Sequence, residues 1–371
     1  MAGRFSLKKI SDIDLDDAFF DTLKSDYPGF EDWFQKLADN GSTALVFEDE
    51  LGVGAFVALK ENEEEEIILQ TGKLPTKKRI KVRTFRIAER YRRLRIGEGA
   101  IGLFLWKWMQ SDAEEIYVTV FAKQTTLISQ LERFGFTFAG VNANGENVYI
   151  KNRKTTDFTD PCKAFPFIGD NFDYAGYIII DDTYHDNMFA YSELANNISL
   201  QTKISNSVSN GLSKIYVGQA PRPNHYIGEP VLIYRRYTQG NGKRYRSCVT
   251  SYCIVTDIIQ AKVNNRYLMS FDELKAHIGN KSVFNEHELY RQYITFRNVI
   301  VVEMLYVGYF GSGNNVNMDW LDRNGFWAVQ NQYPTEVRLT PDQFKAILAE
   351  GNVNVSNVVI HIIATAELSV F

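Results

Sequence analysis

Between Ile80 and Met109 the spacing of apolar residues changes twice, and this restricts the possible folds more than any other feature of the chain. Ile80 and Val82 alternate with Arg79, Lys81 and Arg83, the two-residue period of a strand. The apolar set resumes one residue out of phase, at Phe85 and Ile87. Such a slip sends side chains to the opposite face unless an extra residue is absorbed. A β-bulge is therefore expected near Arg83 and Thr84, the alternative being a strand buried on both faces. The stretch YRRLRIGEG follows, and then Ile96, Ala100, Ile101, Phe104, Leu105, Trp108 and Met109 fall on one face at helical spacing. That spacing predicts a helix over 97–110 packed on a sheet. Glycine in its first turn costs about 1 kcal/mol relative to alanine, which suits a backbone that must be approached closely. Bare amides at a helix start hold anions; the alternative is a solvated, arginine-rich helix entrance.

The residues around this unit read as alternating strands and helices. FSLKKI is followed by an amphipathic stretch over 16–37, and TALVFEDE and GAFVALKENE flank LGVG as a hairpin. The acidic run Glu61 and Glu63 to Glu66 is expected to be a solvated strand end. Beyond the helix come the strand EEIYVTVFA, the helix TTLISQLERFGF ending at Gly135, and a hairpin turning on Asn144 and Gly145.

At 371 residues two domains are expected. The first is placed at 1–155, a connection rich in Pro, Gly, Asp and Thr at 156–174, and the second at 175–371. The second offers GYIIIDD, a helical region near 187–210, the strands SKIYVGQ, EPVLIYRRY and SCVTSYCIVTDI, the helix SFDELKAHIG and the strand NVIVVEMLYVGYF. In PDQFKAILAEG, Thr340 can cap, Pro341 suits the first turn and Gln343 completes a capping box. Long excursions between strands suggest a small mixed α+β barrel.

Net charge is −4, against a generally basic nucleic-acid binder while leaving room for a local basic patch. The 3 cysteines, Cys162, Cys248 and Cys253, fit no disulfide framework or zinc knuckle, and the 5 histidines lack ligand spacing, so no metal site is expected. No apolar segment reaches membrane-spanning length and no signal peptide is evident, so a cytoplasmic protein without a membrane partner is expected.

Strand, arginine-glycine turn and apolar helix, followed by IYVTVF and LERFGF, resemble the GNAT acetyltransferase family over about 1–152. The family's Arg/Gln-x-x-Gly-x-Gly/Ala pattern lands on Arg92, Arg95 and Gly97, with Arg95 in place of the first glycine. The resemblance implies an α+β fold, with a mixed central sheet and flanking helices, and acetyl-CoA as cofactor. Ile87, Arg92, Arg93, Leu94, Arg95, Ile96, Gly97 and Glu98 would then contact it, with amides over 93–98 facing its diphosphate. Many members place an acidic tyrosine before Gly-Phe, a position that here is Leu131. Either another group, such as Tyr117, supplies the proton or the thiolate leaves unassisted. Glu89 is the candidate base, with ion pairing to neighbouring arginines as its alternative.

The segments SKIYVG, GEPVLIYRRY and TPDQFKAIL resemble the PUA-like superfamily in its EVE and ASCH branches. That resemblance implies RNA or modified nucleic acid as a partner, read by Tyr234, Arg235, Arg236, Tyr237 and Trp327, with Trp320 and Gln330 beside them. Each of these residues equally suits a half-exposed strand or a core anchor. The expected activity is N-acetyl transfer to an amine recruited by the second domain. The alternative is an inactive acetyltransferase fold that senses coenzyme A or reads modified nucleic acid.

Overall fold

The computed structural model describes residues 4–189, 207–327 and 337–362. The chain divides into two compact units, 1–156 with 201–210, and 157–200 with 211–371.

The first unit holds β1 (Arg4–Lys9), α1 (Asp21–Asp26), α2 (Phe30–Asp39), β2 (Thr43–Asp49), β3 (Gly52–Glu63), β4 (Ile67–Leu69), β5 (Gly72–Leu74), β6 (Arg79–Ile87), α3 (Ile96–Gln110), β7 (Glu115–Val120), α4 (Thr125–Arg133), β8 (Thr137–Val141) and β9 (Asn147–Asn152). Seven of the strands form one sheet in the order β1-β2-β3-β6-β7-β9-β8. Only β6 and β7 run parallel in it. The expected helix over 16–37 is broken in two. Pro28 disfavours helical backbone at Tyr27, and Gly29 takes φ 84° before α2 begins. Phe30, Phe34 and Leu37 then line the buried face of α2, with Phe34 tilted edge-on against Phe20.

Helix α3 departs from a one-faced amphipathic reading, because residues on every side of it are buried. Its sheet side places Phe104 against Phe85 and Phe136. On another side, at Gly99, it meets residue 210, which explains why 207–210 groups with this unit.

In the second unit, α5 (Pro161–Ala164) and β10 (Ile168–Gly169) lie within the stretch read from sequence as a connection. They are followed by β11 (Gly176–Asp181) and α6 (Asp182–Met188), then by α7 (Ser207–Asn210), which packs with the first unit. The remainder of the helical region expected over 187–210 lies outside the described residues. Next come β12 (Ser213–Gly218), β13 (Pro230–Arg236), α8 (Lys243–Arg246), β14 (Cys248–Val263), β15 (Arg266–Tyr267), α9 (Phe271–Ile278), α10 (Glu286–Thr295), β16 (Val299–Tyr309), β17 (Val316–Asn317), α11 (Met318–Arg323), α12 (Pro341–Glu350), α13 (Val355–Val358) and β18 (Val359–Ile360). The mixed sheet runs β11-β13-β14-β16-β12, with β15 and β17 paired to β14. Three register shifts along β14 and β16 let this long pair bend. Among the described residues β11 and β12 do not pair, so the sheet stays open rather than closing into the expected barrel. The capping box of Thr340 and Gln343 forms at the start of α12.

Candidate active site

The bulge read from the apolar phase slip is present. Ala58 pairs with Thr84 and Leu59 with Val82, so Arg83 is the unmatched residue. On the other edge of β6, the parallel pairing with β7 covers Arg79 to Val82 and stops there. From Arg83 to Ile87 that edge has no strand partner among the described residues, and the two strands part as a wedge. The closed end is fastened by Arg79, whose Nε donates to Glu115 Oε2 at 2.7 Å, while its terminal nitrogens donate to the carbonyls of Glu65 and Pro75. An unpaired strand edge is a template for an extended ligand carrying amide groups.

Next to the open part of β6 lies the turn into α3. Arg93 and Arg95 take φ of 69° and 59°, a left-handed conformation costing about 1–2 kcal/mol for each side chain-bearing residue. By helix geometry the amides of Ile96 and Gly97 have no acceptor within α3, and they stand at its positive end. The glycines are explained by the protein itself. A Cβ on Gly97 would stand 3.2 Å from Ile87 Cδ1, and one on Gly99 would stand 2.2 Å from the Asn210 carbonyl oxygen.

The charged residues of the turn are disposed differently from the expectation. Arg95 does not reach outward: its Nε and Nη2 both donate to the Glu98 carboxylate at 2.9 Å, and both side chains are buried. The Glu98 side chain thus serves as a counter-ion to Arg95. Arg92 and Arg93 are exposed, Arg92 beside Glu89 at 2.7 Å. Ile87 packs toward Gly97, and Leu94 is half-buried, its carbonyl accepting from Asn210.

The two catalytic candidates are not brought together. Tyr117 sits in the closed part of the wedge opposite Lys81, buried, with its hydroxyl donating to Glu63. Burial, and then Glu63, raise its pKa above the ordinary tyrosine range. Glu63 itself is buried rather than solvated. Glu89 lies eight residues beyond Lys81, about 25 Å of extended chain, and is 79% exposed. Leu131 is wholly buried in the core.

A different group gathers around the loop after β7. The Tyr27 ring packs on Phe121, the residue following β7, at 5.5 Å between centroids. Its hydroxyl lies 3.5 Å from Glu146 Oε1, on the β8–β9 hairpin. Asn142 holds Glu146, donating from Nδ2 to Oε2 at 2.9 Å and accepting the Glu146 amide. Burial, then the charges of Glu146 and Asp26, push the Tyr27 pKa up to about 12. Asp26 also acts on Arg86, in the open part of β6, whose guanidinium lies over Phe19 at 5.1 Å. Burial lowers the Arg86 pKa, and its Nε has no hydrogen-bond partner among the described residues. Sequence reading missed this group because its members come from four separate segments, none with a motif.

In the second unit, Tyr234 is fully buried, and Trp327 is buried with its ring edge-on to Tyr177 and Tyr234. Arg235 clamps Asp186 through Nε and Nη2 at 2.8 and 2.9 Å. These three residues are core anchors, not an open stacking face. Trp320 stacks on Phe326 at 5.1 Å, and Gln330 lies outside the described residues. Arg236 is ion-paired with Asp181, and Tyr237 lies under Arg246, whose Nη1 donates to its hydroxyl at 2.6 Å. These last residues do reach the surface. Among the described residues, no group of three His, Cys, Asp or Glu could hold a metal ion, and no helix is long and apolar enough to cross a membrane.

No protein-family model matches the chain. No curated protein matches it either. Structural neighbours over about 40% of the chain are GNAT acetyltransferases. An N-acetyltransferase from Staphylococcus aureus Mu50 is 12% identical, with 41% of this chain and 99% of that one covered and a TM-score of 0.32. NAA60 from Arabidopsis thaliana, in complex with a bisubstrate analogue, is 14% identical, with 40% and 98% covered and a TM-score of 0.30. A GNAT family acetyltransferase from Bacillus cereus ATCC 10987 is 14% identical, with 40% and 98% covered and a TM-score of 0.28.

Proposed function

We propose that the protein is an acyl-CoA-dependent N-acyltransferase, with acetyl-CoA as its donor. The observation that carries this reading is the wedge: an unpaired edge from Arg83 to Ile87 lying next to the amino end of α3. A ligand suited to both has amide groups that can pair like a strand and an anionic group that suits helix amides. The pantetheine arm and diphosphate of coenzyme A have both. Ile87 would line the arm, and the amides of Ile96 and Gly97, with the exposed Arg92 and Arg93, would meet the diphosphate.

Bound acyl-CoA supplies an activated thioester. Glu146 would take the proton of an incoming ammonium, leaving a neutral amine whose nitrogen bonds to the acyl carbon as the carbon–sulfur bond breaks. Tyr27, kept protonated, would give its proton to the departing sulfur and take back the proton that the new amide nitrogen sheds. Arg86 can stabilise negative charge developing near the open strand edge. The second unit is assigned recruitment of the acceptor. Its basic and aromatic rim, the exposed Lys243, Tyr245 and Arg246 with the half-buried Arg236 and Tyr237, favours RNA in that part.

Thermal shift with acetyl-CoA, followed by mass spectrometry of acetyl transfer to amines, tests the reading. Ligand stabilisation with turnover supports it. Stabilisation without turnover on any amine or RNA turns it into the coenzyme A sensor alternative, and neither effect rejects it.

A further inference from the structure

The turn that would hold the diphosphate is not self-supporting. Leu94 lies between two left-handed arginines, a backbone shape that non-glycine residues keep only when something outside the turn imposes it. That external support comes from residue 210, 116 positions further along the chain. Asn210 Nδ2 donates to the Leu94 carbonyl at 3.1 Å, and the Asn210 carbonyl lies so close to Gly99 that no side chain would fit there. Val208 and Ser209, just before it, are buried as well. On the opposite side of the same helical turn, Ile87 packs against Gly97. The first turn of α3 is thus held between β6 and a strap whose neighbours in sequence, up to 200 and from 211, belong to the second unit.

We propose that Asn210 is a positioning residue for the anion-binding turn. By holding the Leu94 carbonyl it fixes the left-handed pair, so that the amides at the start of α3 converge on one diphosphate group. The strap makes diphosphate recognition depend on chain outside the 1–156 segment, while the thioester end of the donor, which lies along β6, does not depend on it. This inference rests on the acyl-CoA reading above.

The test compares acetyl-CoA with acetyl-pantetheine, a donor of the same acyl chemistry without the nucleotide diphosphate, in the full chain and in Asn210→Ala and Asn210→Asp. The Asp variant keeps the shape of the side chain and loses the donor, and thermal melts verify that each variant is folded. The expected result is a rise in KM for acetyl-CoA of about tenfold, an unchanged kcat, and unchanged kcat/KM with acetyl-pantetheine. Amide exchange over 93–98 should also quicken in both variants. Equal losses with both donors, or no loss with either, overturn the positioning role. If the wild-type chain itself binds no coenzyme A thioester, the acyl-CoA reading fails, and the role of Asn210 falls with it. That failure is recognisable because it appears before any substitution is made.

Discussion

Arg79 Nε donates to Glu115 Oε2 at 2.7 Å across the parallel pairing of β6 and β7, with the two side chains 1% and 8% exposed. Burial alone would raise the Glu115 pKa, but hydrogen bonds from Lys77 and Arg79 outweigh it and the carboxyl stays below its ordinary value. The pair fastens the closed end of the wedge. Removing Glu115 leaves the buried Arg79 guanidinium without its counter-charge, so Glu115→Met should cost about 3–5 kcal/mol in denaturant melts. Arg79→Met combined with Glu115→Met should recover much of that loss. A single variant as stable as the wild type would show that the pair is not a fastening.

The bulge should be separable from folding. Deleting Arg83 aligns Val82 and Thr84 with Leu59 and Ala58 in an uninterrupted ladder. The shortened protein should melt within a few degrees of the wild type and bind coenzyme A at least tenfold more weakly by calorimetry. Undiminished binding would separate the bulge from the wedge.

Tyr27→Phe removes the proposed proton donor and leaves the ring on Phe121. It should lower kcat by about a hundredfold and leave KM for acetyl-CoA nearly unchanged. Glu146→Gln should slow transfer to a protonated amine and recover part of the rate as pH rises and the amine deprotonates by itself. Wild-type kcat in both variants would move the chemistry away from the loop after β7.

The second unit should be acid-sensitive through His185 and Asp186. His185 Nδ1 lies 2.9 Å from Asp186 Oδ1, and its Nε2 lies 2.7 Å from Thr250 Oγ1. Burial lowers the His185 pKa below its ordinary 6.5, so the neutral ring is the stable form. The resulting stability is present above pH 6.5 and is lost as pH falls below it. For Asp186, burial works upward, but hydrogen bonds from Arg235 and His185 bring its pKa from 3.8 to about 2. Its contribution is present above 3.8 and disappears as pH falls through 2. Amide exchange in β14 should therefore quicken first below pH 6.5 and again below 3.8, and His185→Gln should remove the first step.

The sequence was most legible where local spacing alone decides the structure. The phase slip at Phe85 located the bulge at Arg83, and the apolar run after Ile96 located α3. It was misleading where a residue's role depends on a distant partner. Arg95 reads as a phosphate contact until Glu98 takes its guanidinium, and Tyr234 reads as a stacking surface until Trp327 covers it. Tyr27, Phe121 and Glu146 share a site only after α1, β7 and the β8–β9 hairpin converge. The glycine pattern also has a cause within the protein that the sequence does not show, since Gly99 admits a carbonyl of this chain.

Helix α3 is greasy over most of its circumference, and Gly99 abuts residue 210. Severing the polypeptide after Thr156 would strip that contact away while leaving the seven-stranded sheet whole. Such a fragment should precipitate or self-associate on expression, and appending 207–210 through a flexible tether should restore its solubility.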